Sequence, residues 1–124
     1  MLGVGIDIIE VGRIASSYEQ FGERFVKRIL RPAEIAYCLS HKIPGPFLAV
    51  RFAAKEAISK AFGTGIGAQL SWQDMEVGRE ESGKPFVILH DNGQKLLAER
   101  GGRIVQISLS HTKEYATAVA ILED

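Results

Sequence analysis

The segment from Phe47 to Ala61 constrains the fold more than any other part of this 124-residue chain. Apolar side chains recur there at spacings of three and four, the period of a helix with one buried face. They are Phe47, Val50, Ala54, Ala57, Ile58 and Ala61. Pro46 suits the first turn, and Gly63 suits the residue just past the end, where a left-handed backbone is common. We therefore predict one long helix that buries this stripe against the core.

The N-terminal segment predicts a β-strand with one apolar face, because apolar residues occupy every second position. These residues are Leu2, Val4, Ile6 and Ile8. Asp7 falls on the other face with Gly3 and Gly5, which we expect to leave room beside it. A carboxylate within an apolar strand needs a cation, an arginine or hydrogen bonds. On this strand alone, a structural Asp held by backbone N–H groups or by Arg13 is as good an interpretation as a ligand-binding one.

The remaining segments predict short helices and a small sheet. Helical spacing follows Gly12, with two short helices meeting at Gly22, and Pro32 suits the start of another helix. Later segments predict a hairpin turning at residues 82–84, a helix from 91 or 92 to about 100, and strands at 103–110 and 115–122. We predict a single α+β domain, residues 1–124, with helices packed on a small, mainly antiparallel sheet.

The composition argues against several classes of protein. Fifteen basic residues balance fifteen acidic ones, so we expect no nucleic-acid partner. Cys38 is the only cysteine, which excludes an internal disulfide and favours a reducing cytoplasm. The first residues form no basic leader and reach Asp7 too early for a signal peptide or a membrane span. We therefore expect a soluble cytoplasmic protein with no membrane partner.

Glu56 and Lys60 lie four residues apart on the predicted long helix, in line with Phe52 and roughly opposite the apolar stripe. Such a pair is common on protein surfaces and contributes only about 0.3–0.5 kcal/mol, so spacing alone favours a solvated face. Asp7 adds a second interpretation. Mg²⁺ often takes one or two carboxylates and completes its shell with water and phosphate oxygens, and it would bring Asp7 and Glu56 together.

Standard nucleotide and zinc signatures are missing. The glycine-rich loop at 63–67 follows its helix, whereas a phosphate-binding loop precedes one, and Ile8 takes the third glycine position of a dinucleotide motif. The three histidines, His41, His90 and His111, show no metal-binding spacing. Ser110 and His111 are weak evidence for a nucleophile, because neighbours on a strand point apart. They suit donors to a phosphate at a strand end.

Residues 11–31 carry a local excess of positive charge. The segment contains two acidic residues, Glu19 and Glu23, and five basic ones, Arg13, Arg24, Lys27, Arg28 and Arg31. Phe21 and Phe25 are interleaved with them. A solvated helix pair is the simpler interpretation; the sharper one is a docking face for an acidic protein helix.

Three motifs together resemble the holo-acyl-carrier-protein synthase family, the small bacterial phosphopantetheinyl transferases. The motifs are Gly5-Ile6-Asp7, Phe52-Ala53-Ala54-Lys55-Glu56-Ala57 with Lys60, and Ser110-His111-Thr112, with Gly83-Lys84-Pro85 between the last two. The resemblance extends over nearly the whole chain. It implies Mg²⁺-dependent transfer of 4′-phosphopantetheine from coenzyme A to a serine of an apo acyl carrier protein, and a phosphopantetheinyl transferase-like α+β fold.

The resemblance also implies roles for individual residues. Asp7 and Glu56 would hold the Mg²⁺, with Glu10 as a weaker candidate, and Glu56 and Lys60 would be catalytic. Three alternatives stay open for the acceptor of the serine proton: Glu56, an activated water, or no protein base at all. Coenzyme A contacts would be Lys60, Gly63, Gly65, Lys84, Ser110 and His111. The carrier-protein face would be Arg13, Arg24, Phe25, Arg28 and Phe52.

The resemblance finally implies an assembly. Longer relatives look like two such units in one chain, so a single unit suggests an active site completed by a neighbouring subunit. The family resemblance itself points to a homotrimer, and we expect the sheet to lie at the subunit contact. Two other classes remain open from the residues: a coenzyme-binding module without metal chemistry, and an RNA-binding or structural protein that uses residues 11–31.

Overall fold

A computed structural model describes all of residues 1–124 and has an α+β fold, as predicted. The helices are α1 (Val11–Phe21), α2 (Glu23–Ile29), α3 (Pro32–Leu39), α4 (Gly45–Phe62) and α5 (Asn92–Glu99). The strands are β1 (Gly3–Glu10), β2 (Met75–Arg79), β3 (Pro85–Leu89), β4 (Ile104–His111) and β5 (Tyr115–Glu123). No helix is long and apolar enough to span a bilayer.

The strands form two antiparallel units, where the sequence had predicted one small sheet. β1, β5 and β4 form a three-stranded sheet in that order, with Asp7 opposite Ala118 and Ala118 opposite Leu109. β2 and β3 form a separate hairpin whose turn contains Gly83 at φ +93°. The hairpin turn was predicted correctly, because a glycine in a left-handed conformation is a strong local signal. β1 and β4 are therefore the two edges of the sheet.

The predicted stripe of α4 is buried, with Phe47 half-buried, but burial extends beyond the stripe to nearly all sides of the helix. Leu48, Ala49 and Ala53 are completely buried although they lie outside that stripe. The sheet packs on one side of α4, while α1 and the loops before the hairpin pack on others. A helix in the middle of a small domain needs small side chains where neighbours come close, which explains its alanines. The helix ends as predicted at Gly63, which has φ +79°.

Two glycines of β1 allow the strand to lie directly against α4. A Cβ atom at Gly5 would lie 2.0 Å from the carbonyl oxygen of Ala57, and one at Gly3 would lie 2.1 Å from that of Ala61. No larger residue fits at either position without moving the strand or the helix. The space that these glycines leave is filled by α4, not left free beside Asp7 as expected.

The apolar residues of β1 point away from the core. Ile6 and Ile8 are 65% and 67% exposed, and Leu2 and Val4 are exposed as well. The alternation was correctly taken as a strand, but the face that the chain itself covers is the glycine face. By register, β5 adds Val119 to the same outer face, opposite Ile6. We call this surface, formed by the outward residues of β1 and β5, the outer sheet face.

Candidate active site

The two predicted metal ligands lie close to each other. Asp7 is on the face of β1 that packs on α4, and its side chain is only 17% exposed. Glu56 is half-buried on α4, where the glycine contacts bring β1 against the helix. Asp7 has a cationic partner, but it is Lys60 and not Arg13: Lys60 Nζ lies 3.2 Å from Asp7 Oδ1. The same ammonium donates to the carbonyl oxygen of Ile6 at 3.0 Å.

The electrostatics of Glu56 reflect this proximity. Burial raises the pKa of Glu56 above its ordinary value, the negative charge of Asp7 raises that pKa further, and Lys60 opposes both effects. The two carboxylates repel each other when both are ionised. A divalent cation bound between them would relieve that repulsion. The donor set, two carboxylates on a partly exposed surface, fits a hard cation such as Mg²⁺.

No third acidic, histidine or cysteine side chain joins the pair. Glu10 lies an odd number of residues from Asp7 on β1, so it points to the opposite face and is exposed. It is therefore not a third ligand within one chain. Any further ligand would come from water or from a substrate, which is the usual pattern for Mg²⁺.

The glycine-rich loop follows at the same end of α4. Gly63 and Gly65 both have positive φ, and the backbone N–H groups of Thr64 and Gly65 bond to the carbonyl oxygen of Ser59. Ser59 is one residue before Lys60. The loop is therefore fixed to the last turn of α4 and lies one turn beyond the acidic pair.

A cleft of about 220 Å³ lies near the other end of α4. We call it the arginine cleft, because Arg51 and Arg79 line it. It contains His111, predicted as a coenzyme A contact, and two residues of the predicted motif at 83–85. The lining residues are Phe47, Val50, Arg51, Arg79, Gly83, Pro85, Leu109 and His111. Lys84 is exposed between Gly83 and Pro85, at the rim. Ser110 alternates with His111 on β4 and so lies on the other face of the sheet, away from this cleft.

Sequence reasoning missed the two arginines of this cleft. Arg51 is only 3% exposed, and its Nε has no hydrogen-bond partner. A buried, unpaired guanidinium N–H is costly, and an anion in the cleft would satisfy it. The sequence did offer one signal for Arg51: it directly follows Val50 of the apolar stripe, near the buried face of the predicted helix. Arg79 could not be found this way, because it reaches the cleft from the hairpin.

The acidic pair and the arginine cleft are separated within one chain. Asp7 is on edge strand β1 and His111 on edge strand β4, which are two strand spacings apart, or about 10 Å. β5 and the fully buried middle of α4, including Ala54 and Ala57, fill the space between them. A single chain therefore presents two partial sites on opposite edges.

The predicted docking residues form a groove only in part. A groove of about 260 Å³ on α1 and α2 is lined by Ser17, Phe21, Arg24, Phe25 and Arg28. Arg13 is one turn before Ser17, whose Oγ donates to the Arg13 carbonyl oxygen at 3.1 Å. Phe52 does not line this groove; its half-buried ring packs on Trp72, with ring centroids 4.9 Å apart.

Two other candidates for chemistry are structural. Cys38 is completely buried, and burial raises the pKa of its thiol to about 11, so it is a poor nucleophile. Lys55 is completely buried and its Nζ lies 2.8 Å from Glu34 Oε1 on α3. Lys55 also donates to the carbonyl oxygens of Ile29 and Trp72. This lysine therefore joins α4 to three other parts of the chain.

Comparisons with known proteins agree on one family. The sequence model of the 4'-phosphopantetheinyl transferase superfamily matches residues 3–120. A holo-[acyl-carrier-protein] synthase of Koribacter versatilis is 50% identical over 124 residues, which cover 100% of this chain and 99% of that protein. The crystal structure of the holo-[acyl-carrier-protein] synthase from Neisseria meningitidis matches with a TM-score of 0.92 and 35% identity, covering 100% of this chain and 99% of that one. The crystal structure of the Helicobacter pylori holo-[acyl-carrier-protein] synthase in complex with coenzyme A matches with a TM-score of 0.86 and 32% identity. The match covers 97% of this chain and 99% of that one.

Proposed function

Because this chain belongs to the 4′-phosphopantetheinyl transferase superfamily, we propose that it transfers the 4′-phosphopantetheine arm of coenzyme A to a serine of an apo acyl carrier protein. The products are holo acyl carrier protein and adenosine 3′,5′-bisphosphate. The observation that carries the proposal for the site is the approach of Asp7 to Glu56, with Lys60 3.2 Å from Asp7. Two acids and one lysine at a partly exposed edge suit phosphoryl chemistry.

The reaction exchanges one oxygen on phosphorus for another. The serine oxygen forms a bond to the phosphorus next to the pantetheine, and the bond from that phosphorus to the bridging oxygen breaks. The bridging oxygen leaves with the adenosine 3′,5′-bisphosphate, and the serine proton passes to a base or to water. Because the transition state is loose, positioning and charge stabilisation matter more than early deprotonation.

Asp7 and Glu56 are the residues that would hold Mg²⁺. Burial and the charge of Asp7 already raise the pKa of Glu56, so the ionised pair needs a counter-charge. The bound ion would neutralise charge on the diphosphate oxygens. Asp7 is positioned by β1 and Glu56 by α4, two elements that pack directly on each other, so the packing of the fold sets the relative placement of the two acids.

Lys60 would contribute a mobile positive charge. Its side chain is half exposed and contacts Asp7 from the last turn of α4. Because this side chain is half exposed, its ammonium can also reach toward a substrate at the same edge. We propose that it offsets charge on the diphosphate or orients the attacking serine.

The arginine cleft supports a coenzyme A site at the other edge of the sheet. Arg51 presents an unpaired Nε, Arg79 lines the same cleft, and His111 and the exposed Lys84 lie beside it. Guanidinium groups bind phosphate well because their donors match its geometry. Gly63 and Gly65 stay proposed contacts near the acidic pair. Ser110 stays a proposed coenzyme A contact, but it could reach coenzyme A only from the outer face of the sheet, opposite to His111.

The separation of the two partial sites favours an active site shared between subunits. The acidic pair of one subunit would face the arginine cleft of the next, and coenzyme A would lie across the boundary. The outer sheet face supplies an apolar surface, including Ile6, Ile8 and Val119, for such an assembly. We propose a homotrimer, the state that the family resemblance implied, in a reducing cytoplasm where buried Cys38 stays a free thiol.

The carrier protein would dock on α1 and α2. Arg24 and Arg28 form a basic rim around Phe25 in the groove, with Arg13 one turn away on α1. Acidic helices suit this surface because charges of opposite sign speed association while the aromatic ring supplies buried contact. The zero net charge of the chain and this localised patch favour a protein partner over nucleic acid.

Mass spectrometry of an apo carrier protein tests the activity. We expect the carrier to gain one phosphopantetheine arm when incubated with the protein, coenzyme A and Mg²⁺, and no gain with Asp7→Asn or Glu56→Gln. Coenzyme A binding by these variants should stay close to wild type. A coenzyme-binding module without transferase activity would bind coenzyme A and leave the wild-type reaction mixture unmodified, which would overturn the proposal.

Mixing two inactive variants tests the shared site. Asp7→Asn lacks the acidic pair and Arg51→Ala lacks the buried guanidinium of the cleft. If one active site uses both subunits, mixed oligomers contain some sites with both groups intact, so activity returns after subunit exchange. Recovery should fail if both variants also carry Ile6→Lys and Ile8→Lys on the outer sheet face. An absence of recovery in mixed trimers identified by native mass spectrometry would place the complete site within one chain.

A further inference from the structure

Tyr37 on α3 contacts both arginines of the cleft. The Arg51 guanidinium carbon lies 4.4 Å from the centre of the Tyr37 ring, and that of Arg79 lies 5.3 Å from it. Both distances are within the range of cation–π attraction. Arg79 Nη1 also donates a hydrogen bond to Tyr37 Oη. One side chain therefore joins an arginine of α4 to an arginine of the hairpin.

Tyr37 itself is not among the residues that line the cleft. Its ring meets the rings of His41 and Phe47 edge-on, with centroid distances of 4.8 Å and 6.0 Å. These contacts fix the orientation of the ring. Any effect of Tyr37 on a ligand must therefore pass through the groups that it holds.

The two guanidinium groups need such support. Both are positive and line one cleft, and because Arg51 is almost completely buried while Arg79 is exposed, water screens their repulsion only from the Arg79 side. The negative face of an aromatic ring attracts both cations without adding an anion that would compete for them. A carboxylate in its place would pair with the arginines and reduce their attraction for phosphate. An aromatic ring keeps both groups available.

We propose that Tyr37 is a positioning residue that sets the affinity for coenzyme A by holding Arg51 and Arg79 toward the cleft. This inference rests on the proposed function, which assigns coenzyme A phosphates to the cleft. The ring supports Arg51 and Arg79, and the hydroxyl acts on Arg79 alone. Tyr37 therefore affects substrate binding and leaves the chemical step, which takes place at the acidic pair, unchanged.

Steady-state kinetics with coenzyme A as the varied substrate separate these roles. Tyr37→Phe keeps the ring and should raise KM for coenzyme A about threefold, whereas Tyr37→Leu should raise it about tenfold or more, because a partly desolvated cation–π contact is lost. The kcat of both variants should stay within about threefold of wild type. Leu39→Ala on the same helix is the control for nonspecific effects on α3, and it should leave KM for coenzyme A unchanged.

A double-mutant cycle tests the path of the effect. If the hydroxyl acts only through Arg79, then Tyr37→Phe with Arg79→Ala should have the same KM for coenzyme A as Arg79→Ala alone. Additive effects would overturn that part of the inference. An active, folded Tyr37→Leu enzyme whose KM for coenzyme A lies within twofold of wild type would overturn the whole of it.

Calorimetric titration with coenzyme A, without carrier protein, separates this inference from the proposed function. If the wild type binds coenzyme A but never modifies a carrier, the proposed function fails, and weaker binding by Tyr37→Leu would still support the positioning role. If the wild type modifies a carrier while Tyr37→Leu binds coenzyme A as tightly as wild type, the positioning role fails and the function stands.

Discussion

Lys60 Nζ lies 3.2 Å from Asp7 Oδ1, so the last turn of α4 already supplies a positive charge to the carboxylate of β1. The ion pair explains how an acid can lie against a helix in a small core. It also leaves Glu56 as the acid that carries the electrostatic penalty, because burial and Asp7 both raise the pKa of Glu56.

Glu56→Gln should remove activity and stabilise the metal-free protein at neutral pH. The folded pKa of Glu56 is raised, so the stability associated with its protonated form is lost as the pH rises through that pKa. The variant avoids this loss. We expect transfer to fall about 100-fold or more and the melting temperature in chelator to exceed that of wild type at pH 7.5. The difference should shrink as the pH is lowered through the raised pKa. A variant that melts below wild type throughout this range would contradict the electrostatic account.

Lys55→Met should destabilise the fold by about 3–5 kcal/mol, because it leaves the completely buried Glu34 without its counter-charge. Urea unfolding measures this directly. Glu34→Gln combined with Lys55→Met should be less damaging than Lys55→Met alone, since the amide oxygen can still accept the hydrogen bond from the Val77 N–H. Lys27→Met, which removes an exposed i,i+4 ion pair with Glu23 on α2, is the control, with a change below about 1 kcal/mol. Equal losses for the two lysines would contradict the assignment.

Gly5→Ala should disrupt the contact between β1 and α4, because the new Cβ would lie 2.0 Å from the Ala57 carbonyl oxygen. We expect a loss of about 3 kcal/mol in unfolding free energy, and in any folded fraction a lower activity, since Asp7 follows two residues later. Gly12→Ala is the matched control: its added Cβ would meet no atom of another part of the chain within 4 Å, and the change should stabilise α1 slightly. A fully stable, active Gly5→Ala protein would show that the close approach is unnecessary.

Arg24→Glu with Arg28→Glu should raise KM for the carrier protein about tenfold or more and leave KM for coenzyme A unchanged. Both arginines line the groove around Phe25, so their reversal repels an acidic helix. Lys95→Glu, an exposed reversal on α5, should change neither constant. The wild-type KM for the carrier should also rise with ionic strength. If the reversals raise both constants equally, the groove is not specific to the carrier.

Local signals in the sequence predicted most of the fold. Helix α4 ends at Gly63 and the hairpin turns at Gly83, because glycines with positive φ mark such places wherever the rest of the chain lies. The face of β1 that is buried was not predictable in this way. Alternation defines two faces, but only the contact with α4 shows that the glycine face is the inner one.

For the candidate site, the sequence pointed to two acids that the fold brings close together, and it did not point to the two arginines of the cleft. The resemblance named Asp7 and Glu56, and the fold brings both to one edge. Burial of Arg51 and Lys55 depends on partners from other elements, Tyr37 and Glu34, which no spacing within α4 reveals. Phe52 was assigned to the docking face from its helical alignment, whereas its packing on Trp72 is a tertiary contact.

Electron paramagnetic resonance with Mn²⁺ as a probe tests the central claim that Asp7 and Glu56 share one divalent ion. Titration in the presence of coenzyme A should show one bound Mn²⁺ per active site in the wild type, and Mg²⁺ should displace it. Asp7→Asn and Glu56→Gln should each weaken that binding by at least about tenfold, while Glu10→Gln, on the opposite face of β1, should not. Unchanged Mn²⁺ affinity in both acid variants, with coenzyme A still bound, would contradict the account.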